Sequence, residues 1–411
     1  MYPNQEAPWY YLRPAPAPGL VPDALLAAQS GMAACDADRP EGVPFSLTVL
    51  LLEGEYRLTG AVLFCLSRQA GVRVHLLSRN ARSPFRFSGY VRKHHVCCLD
   101  RPETEFVEYV QTVARQIQAN VLLPVDVPGM RFVIAHRAAL AAAVPVLSLP
   151  SAANYEIAND KGWLAAFMQE RGIPAPDTIL DIQQGLAGKL EGFRFPVLLK
   201  PIDGSGGGGI VRYHTPAALL QAVTALPAGC RYIVQNCLEG YDIDCNVLYD
   251  KGQLLAHSIQ KGLVPTGGEF APTEAIEFVR NDAVLAVVDR LMKALNWNGV
   301  AHIDLRYDAR DRQIKVIEVN TRFWLTVVGS ALAARVNFPV LACLAAVGRP
   351  VVQHAPFELG RYIPFTSFLR QRLTRQPTGA PAVRFTLRDT SVRAFLSDPW
   401  PKIYRARQNA F

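Results

Sequence analysis

No uninterrupted apolar run in this sequence reaches the roughly 18 residues that a membrane-crossing helix needs, so no bilayer span is expected. No two cysteines stand in Cys-x-x-Cys spacing, and the eight present (Cys35, Cys65, Cys97, Cys98, Cys230, Cys237, Cys245, Cys343) lie mostly in apolar runs. They read as reduced core residues of a cytoplasmic protein rather than a disulfide framework. His94-His95 and Cys97-Cys98 are adjacent pairs without the ligand spacing of a zinc site. No basic stripe interleaved with aromatics appears either. The 43 Lys and Arg exceed the 35 Asp and Glu but are scattered, so the net charge of +8 points to anionic small molecules and nucleotide rather than nucleic acid. Also missing are a Walker A Gly-Lys-Ser/Thr, a dinucleotide glycine fingerprint after the first strand, and a basic-then-apolar leader. No Ser/His/Asp or Cys/His constellation suggests a covalent nucleophile.

What is present is enough for two or three domains: 411 residues, half of them hydrophobic. Residues 1–44 form a Pro-rich N-terminal arm with a short helix expected near Ala24 to Met32. Its Trp9-Tyr10-Tyr11 cluster has the composition to dock on the body or on another subunit. Residues 45–152 alternate strands and helices. Strands are expected at Ser46–Leu52, Val72–Leu77, Val121–Pro124 and Val146–Leu149, and helices at Tyr56–Gln69, Glu103–Ala119 and Gly129–Ala143. That order implies a parallel sheet flanked by helices. Between them, Ser83 to Arg92 reads as a loop in which Arg86 or Arg92 can meet a substrate carboxylate. Asn159-Asp160-Lys161 opens a helix that runs to Arg171 and stops at Gly172.

The densest chemistry lies in one hairpin. Val300-Ala301-His302-Ile303-Asp304-Leu305 and Lys315-Val316-Ile317-Glu318-Val319-Asn320 both alternate with period two, joined by a polar turn over Tyr307 to Arg312. Folding symmetrically about Asp311 sets Asp304 opposite Glu318 and His302 opposite Asn320. Two carboxylates and an amide then share a face, a donor set suited to a hard cation such as Mg²⁺. A solvated acidic sheet face is the competing reading.

Upstream, the apolar strand Phe195 to Leu199 ends in Lys200-Pro201. The stretch Gly204-Ser205-Gly206-Gly207-Gly208-Gly209 follows, five glycines in six residues. Without Cβ atoms such a loop can turn backbone N–H groups toward phosphates, with Lys200 adding charge; a flexible hairpin loop is the alternative. Tyr232 to Leu238 then reads as a strand running into a hinge, where backbone near Gln235 and Leu238 can meet an adenine edge. Asp242, two residues past Gly240, can reach ribose hydroxyls.

In this order (lysine, strand lysine, glycine loop, Gln/Glu hinge, Asp, then Glu-x-Asn) the chain resembles the ATP-grasp superfamily over about residues 45–352. The stretch Ile317-Glu318-Val319-Asn320-Thr321-Arg322-Phe323-Trp324, with Val336-Asn337-Phe338-Pro339 after it, is similar to the carbamoyl-phosphate-synthase-like and D-aspartate-ligase-like branches. The resemblance implies a mixed α/β and α+β architecture. Residues 45–152 become a Rossmann-like pre-ATP-grasp domain forming one wall of the acceptor site, and 153–352 the ATP-grasp domain. The latter holds a small Gly-loop lid at about 175–238 and a C-terminal antiparallel metal-binding subdomain.

The resemblance also implies roles. Lys161, Lys200 and the glycine loop hold the phosphates of ATP; Asp304, Glu318 and Asn320 hold one or two Mg²⁺ (or Mn²⁺), with Glu318 bridging. Lys261 falls where relatives carry a basic residue near the γ-phosphate, and Arg322 stabilises the transferred phosphoryl group or an oxyanion. The Thr266-Gly267-Gly268-Glu269 loop is placed to close over the acceptor. The implied reaction joins a small-molecule carboxylate to an amine through an acyl phosphate, releasing ADP and phosphate. The alternatives are an ATP-binding scaffold or sensor, and a bicarbonate-activating enzyme; neither a biotin-accepting Met-Lys-Met nor a second ATP-grasp half is present. Gly208 departs from relatives, which often carry Arg or Lys there.

After Arg322, Phe323 to Ala346 reads as buried helix. Residues 353–411 form a basic, Pro-punctuated extension expected to pack on the body, to join an oligomer contact (a homodimer being the usual form) or to line the acceptor pocket.

Overall fold

A computed structural model describes residues 45–97, 102–202, 206–227, 229–265, 270, 273–351, 356–374 and 384–408. The N-terminal arm, Gly204, Ser205 and the Thr266–Glu269 loop lie outside the described residues.

Strands β1 (Leu47–Leu52), β2 (Val72–Ser78), β3 (Val91–Val96) and β4 (Val121–Leu123) form a parallel sheet in the order β3-β2-β1-β4. Every residue of β1, LTVLLL, is buried, as a strand covered on both faces by helices must be. Helices Tyr56–Ser67, Glu103–Gln116, Val127–Ala135 and Arg137–Ala141 supply the cover. The single helix expected over Gly129–Ala143 is two, because His136 leaves helical geometry at φ −111°, ψ 20°. The strand expected at Val146–Leu149 shrinks to one bridge, Val146 to Leu122; Pro145 and Pro150 on either side cannot donate to a ladder. The loop expected at Ser83–Arg92 holds instead a 3₁₀ turn at Pro84–Phe87 and the start of β3. β3 was hidden by Arg92, Lys93 and His94, charges that suit an edge strand but break an apolar pattern.

The second sheet is small and antiparallel: β5 (Thr178–Ile179), β6 (Val197–Pro201), β7 (Val211–Tyr213) and β8 (Tyr232–Asn236), ordered β5-β8-β6-β7. It has its own core around Val197, Leu199, Leu219 and Val234.

The third sheet is a six-stranded antiparallel one. Its strands are β9 (Gly240–Asp250), β10 (Gln253–Pro265), β11 (Thr273–Phe278), β12 (Gly299–Asp308), β13 (Gln313–Asn320) and β14 (Arg361–Tyr362), ordered β13-β12-β9-β10-β11-β14. Ile243, Cys245, Ile303 and Leu305 on one face join the core that runs under the parallel sheet. β9 starts at Gly240 (φ +152°), where an added Cβ would sit 1.9 Å from the Tyr307 carbonyl oxygen, so only glycine fits.

The helix expected over Phe323–Ala346 is split into Val327–Leu332 and Phe338–Ala346. Arg335 takes φ +61° between them, and Asn337 caps the second helix with Pro339 in its first turn. The C-terminal helix Trp400–Gln408 packs back on the Pro84–Phe87 turn. Asp398 accepts from Ser88 and from the Gly89 N–H, Arg86 donates to the Tyr404 hydroxyl at 3.1 Å, and Arg405 lies 3.8 Å over the Tyr56 ring. No helix among the described residues is long and apolar enough to cross a membrane. Cys65, Cys97, Cys237, Cys245 and Cys343 are buried free thiols; Cys230, expected in the core, is exposed.

Candidate active site

The β12–β13 hairpin has the expected pairing, Asp304 opposite Glu318 and His302 opposite Asn320. The turn that closes it is shorter than expected, Ala309 to Arg312, which by itself would set Asp304 against Ile317. A bulge between Asp304 and Leu305 in the ladder absorbs one residue and restores the pair. Register then carries the polar face across two further strands. Asp304 lies beside Asp244 and Gln260 follows, while His302 lies beside Asn246 and Ser258 follows. Two rows of polar side chains thus cross β13, β12, β9 and β10 on one face, with apolar residues alternating onto the other.

The groups on this face are tied to one another. Asn320 Nδ2 donates to Asp304 Oδ2 at 3.2 Å, and Arg322 Nη2 donates to Asn320 Oδ1 at 3.2 Å. The amide oxygen of Asn320 therefore faces Arg322, and the amide must turn over to offer that oxygen beside the two carboxylates. His302 Nε2 lies 2.8 Å from Asp304 Oδ1, and its Nδ1 lies 2.6 Å from Asn246 Oδ1.

Lys161 reaches the same place from the adjoining helix, its Nζ 3.5 Å from Glu318 Oε2. Asp160 makes that possible. Its Oδ1 accepts from the Gly162 and Trp163 N–H groups at 2.9 Å each, capping the helix whose first residue is Lys161, and its Oδ2 pairs with Arg231 at 2.6 Å. Asp160→Ala is expected to lower unfolding free energy by about 1–2 kcal/mol, the scale of a lost N-cap, measured as an earlier urea midpoint.

Burial and like charge set the protonation of these acids. Burial, and then the Asp304 charge, push Glu318 up to about 7 against the pull of Lys161 and Lys200. Burial and the Asp304 charge likewise raise Asp244 to about 7. Burial alone would raise Asp304, but the His302 charge and hydrogen bonds from His302, Glu318 and Asn320 outweigh it and hold it below the usual range. For His302, burial favours the neutral ring, and the Asp304 and Asp244 charges overcome it, so its pKa stands above the ordinary value. Lys200, 6 % exposed on β6, is lowered to about 8 by burial, partly offset by the Glu318 charge.

The remaining expected residues divide. The Gln235 side chain lies inside the second sheet, where it accepts from Lys200 Nζ at 2.6 Å and donates to Thr178 at 3.0 Å; only its backbone is left for another partner. The Leu238 carbonyl accepts from Arg306, which also pairs with Asp242 at the surface. Gly206, Gly207 and Gly209 take positive φ, and a Cβ on Gly207 would meet the Phe270 carbonyl oxygen at 2.0 Å, so this loop abuts the segment that follows β10. Gly208 belongs to the same turn.

Lys261 is not brought to the cluster. It pairs with Ile243, on the face opposite to Asp244, and its Nζ lies 4.2 Å over the Tyr241 ring. The period of two that puts Gln260 on the polar face excludes its neighbour. The residues not anticipated are Asp244, Asn246, Ser258 and Gln260; their signal was the polar alternation Asp242-x-Asp244-x-Asn246 and Ser258-x-Gln260.

Asp244, His302 and Asp304 each bring one donor atom within 4.8 Å of the others. Both ring nitrogens of His302 already face oxygen acceptors, which leaves no lone pair for a metal. Asp304 and Glu318, two half-buried carboxylates side by side with the Asn320 amide at their edge, are the better fit for a divalent cation. They supply hard oxygen donors and a negative charge that the protein itself leaves partly unbalanced.

Residues 158–326 match the family model described as the ATP-grasp domain. A D-alanine–D-alanine ligase of Acetivibrio thermocellus is 23% identical over 190 residues, covering 39% of this chain and 48% of that protein. The arginine-specific large chain of carbamoyl phosphate synthase from Geobacillus stearothermophilus is 23% identical over 200 residues, covering 47% of this chain and 19% of the other. The chain thus spans about half the length of the first relative and about a fifth of the second. Among solved structures, an L-amino acid ligase from Bacillus licheniformis aligns at a TM-score of 0.55 and 18% identity, over 74% of this chain and 75% of that one. The chain therefore carries an ATP-grasp domain and has the ATP-grasp fold.

Proposed function

We propose that this protein is an ATP-dependent carboxylate–amine ligase, which joins a small-molecule acid to an amine in an amide or peptide bond and releases ADP and phosphate. One observation carries the reading. Asp304, Glu318 and Asn320 converge on one sheet face, Lys161 stands 3.5 Å from Glu318, and buried Lys200 feels the Glu318 charge. That is a cationic and oxygen-rich cradle for a metal-bound nucleotide.

Asp304, Glu318 and Asn320 would hold Mg²⁺, and the ion would supply charge neutralisation at the phosphates. Lys161 and Lys200 would supply positive charge to the phosphates, and the backbone N–H groups of Gly206–Gly209 would donate to them. The substrate carboxylate attacks the γ-phosphorus, ADP leaves, and the amine then displaces phosphate from the acyl phosphate. Arg322, which donates to Asn320 and to the Phe323 carbonyl, would steady the oxygen that becomes negative. This reaction needs no covalent nucleophile from the protein.

The decisive assay measures ADP and phosphate release over pairs of carboxylates and amines, with products identified by mass spectrometry. Release that requires both partners supports the ligase. Release with bicarbonate alone makes the protein a bicarbonate-activating enzyme, and tight ATP binding without turnover makes it a scaffold or sensor.

A pH dependence follows from Glu318. A proton and a cation compete for the same oxygens, and Glu318 gains its proton near pH 7. Mg²⁺ affinity, followed by calorimetry with ADP present, is expected to be highest above pH 7 and to fall roughly tenfold per unit below it. Affinity that is flat from pH 6 to about 8 contradicts this.

A further inference from the structure

We propose that His302 is a positioning residue for Asp304, braced by Asn246 and by an amide ladder that runs through Gln260. The inference rests on the reading above, in which Asp304 is one of the oxygens that take the cation.

The hydrogen bonds of the ladder run in sequence from Asp244. Gln260 turns its Nε2 toward Asp244 Oδ2, at 3.1 Å. Gln260 Oε1 then faces the other way and accepts from the Thr326 hydroxyl at 3.1 Å and from Asn246 Nδ2 at 3.2 Å. Asn246 Nδ2 also donates to Ser258 at 3.0 Å. Its remaining atom, Oδ1, is left facing His302 Nδ1 at 2.6 Å, so Nδ1 carries the proton of that bond. The far edge of the ring meets Asp304 Oδ1 at 2.8 Å, and Trp324 stacks on the ring face with centroids 5.7 Å apart and planes 17° off parallel. Two edges and a face are thereby held, which leaves the imidazole one orientation.

Asp304 needs such a brace. Two further carboxylic side chains, Asp244 and Glu318, flank it on the neighbouring strands. With Oδ1 fixed by His302 and Oδ2 held by Asn320 at 3.2 Å, the carboxylate plane is set before any cation arrives. Asn246 and Ser258 are fully buried, so bulk water has no direct access to replace the far rungs. Outer residues of this kind typically change metal affinity about 10- to 100-fold when removed.

The test uses Mn²⁺ binding to the full chain with ADP present, read from the free-ion electron paramagnetic resonance signal, and three variants. His302→Phe keeps a ring on Trp324 and loses both hydrogen bonds. His302→Gln loses the stack but keeps an N–H that can reach Asp304. Asn246→Ala removes the brace without touching Asp304. Positioning predicts a Mn²⁺ dissociation constant about 10- to 100-fold higher for His302→Phe and Asn246→Ala, and recovery to within about threefold in His302→Gln. Binding of ADP without metal stays unchanged in all three.

Wild-type Mn²⁺ affinity in a folded His302→Phe overturns the proposal, since ring packing then suffices. If that variant fails to fold, Asn246→Ala decides the question by the same criterion. Glu318→Gln separates this inference from the reading beneath it. Mn²⁺ binding that survives Glu318→Gln removes the metal site itself, whereas binding lost there but kept in the His302 and Asn246 variants removes only the brace.

Discussion

Replacing Glu318 with glutamine lowers carboxylate- and amine-dependent ADP release by at least ~100-fold, the scale of one lost transition-state charge contact. The change keeps the size of the side chain and its place opposite Asp304. It removes a half-buried charge that Asp304 disfavours and that Lys161 and Lys200 only partly compensate. Folding therefore has little to lose, and the melting temperature of the metal-free protein is expected to hold or rise. An unchanged rate in Glu318→Gln removes the ligase assignment.

Lys200 gives the second large effect. Its ammonium is almost wholly buried, and it donates to a neutral partner, the Gln235 amide oxygen, at 2.6 Å. Burial lowers its pKa to about 8, so the native state bears the cost of a desolvated cation at neutral pH. The sign follows. The folded pKa lies below the unfolded one, so the destabilisation is full below about pH 8 and fades as pH rises toward 10.5. A cation kept at such cost is understandable if phosphate oxygens meet it during the reaction. Lys200→Met should cut ADP release by at least ~100-fold while leaving nucleotide-free stability at pH 7 equal or greater. Arginine is not expected to rescue it, because a planar guanidinium does not fit a site shaped for a point charge. Steady-state ADP release, together with thermal unfolding at pH 7, checks both halves. A variant that loses stability and keeps turnover contradicts the account.

The hairpin was legible because β12 alternates strictly from Ala301 and β13 does so apart from the adjacent Val316 and Ile317. The pairing came from an assumed symmetric turn, whereas the chain reaches it through a shorter turn and a bulge at Ile317, marked in the sequence only by the adjacent apolar pair Val316-Ile317. Lys161 and Asp160 could be read from local helix chemistry. Lys261 could have been placed correctly from sequence, since Ser258, Ile259 and Gln260 fix which side it takes; resemblance to relatives overrode the alternation.

Asp244 and Asn246 were passed over for a different reason. A polar residue every second position reads as a solvated strand until the neighbouring strands are known, and only register turns Asn246 and Ser258 into buried partners. The helix expected across Phe323–Ala346 failed because uniform hydrophobicity hides a break that Arg335 makes with its positive φ.

The most direct measurement is a crystal of the protein grown with ADP and Mn²⁺, with anomalous scattering recorded at the manganese edge. The account predicts a peak within about 2.5 Å of carboxylate oxygens of both Asp304 and Glu318, the outer reach of oxygen ligands to a hard divalent cation. The Asn320 amide should be turned from Arg322 toward the metal, and the ADP phosphates should lie on the same sheet face near Lys161 and Lys200. A manganese peak away from these carboxylates, or ADP bound on the Tyr241–Lys261 face of the sheet, contradicts it.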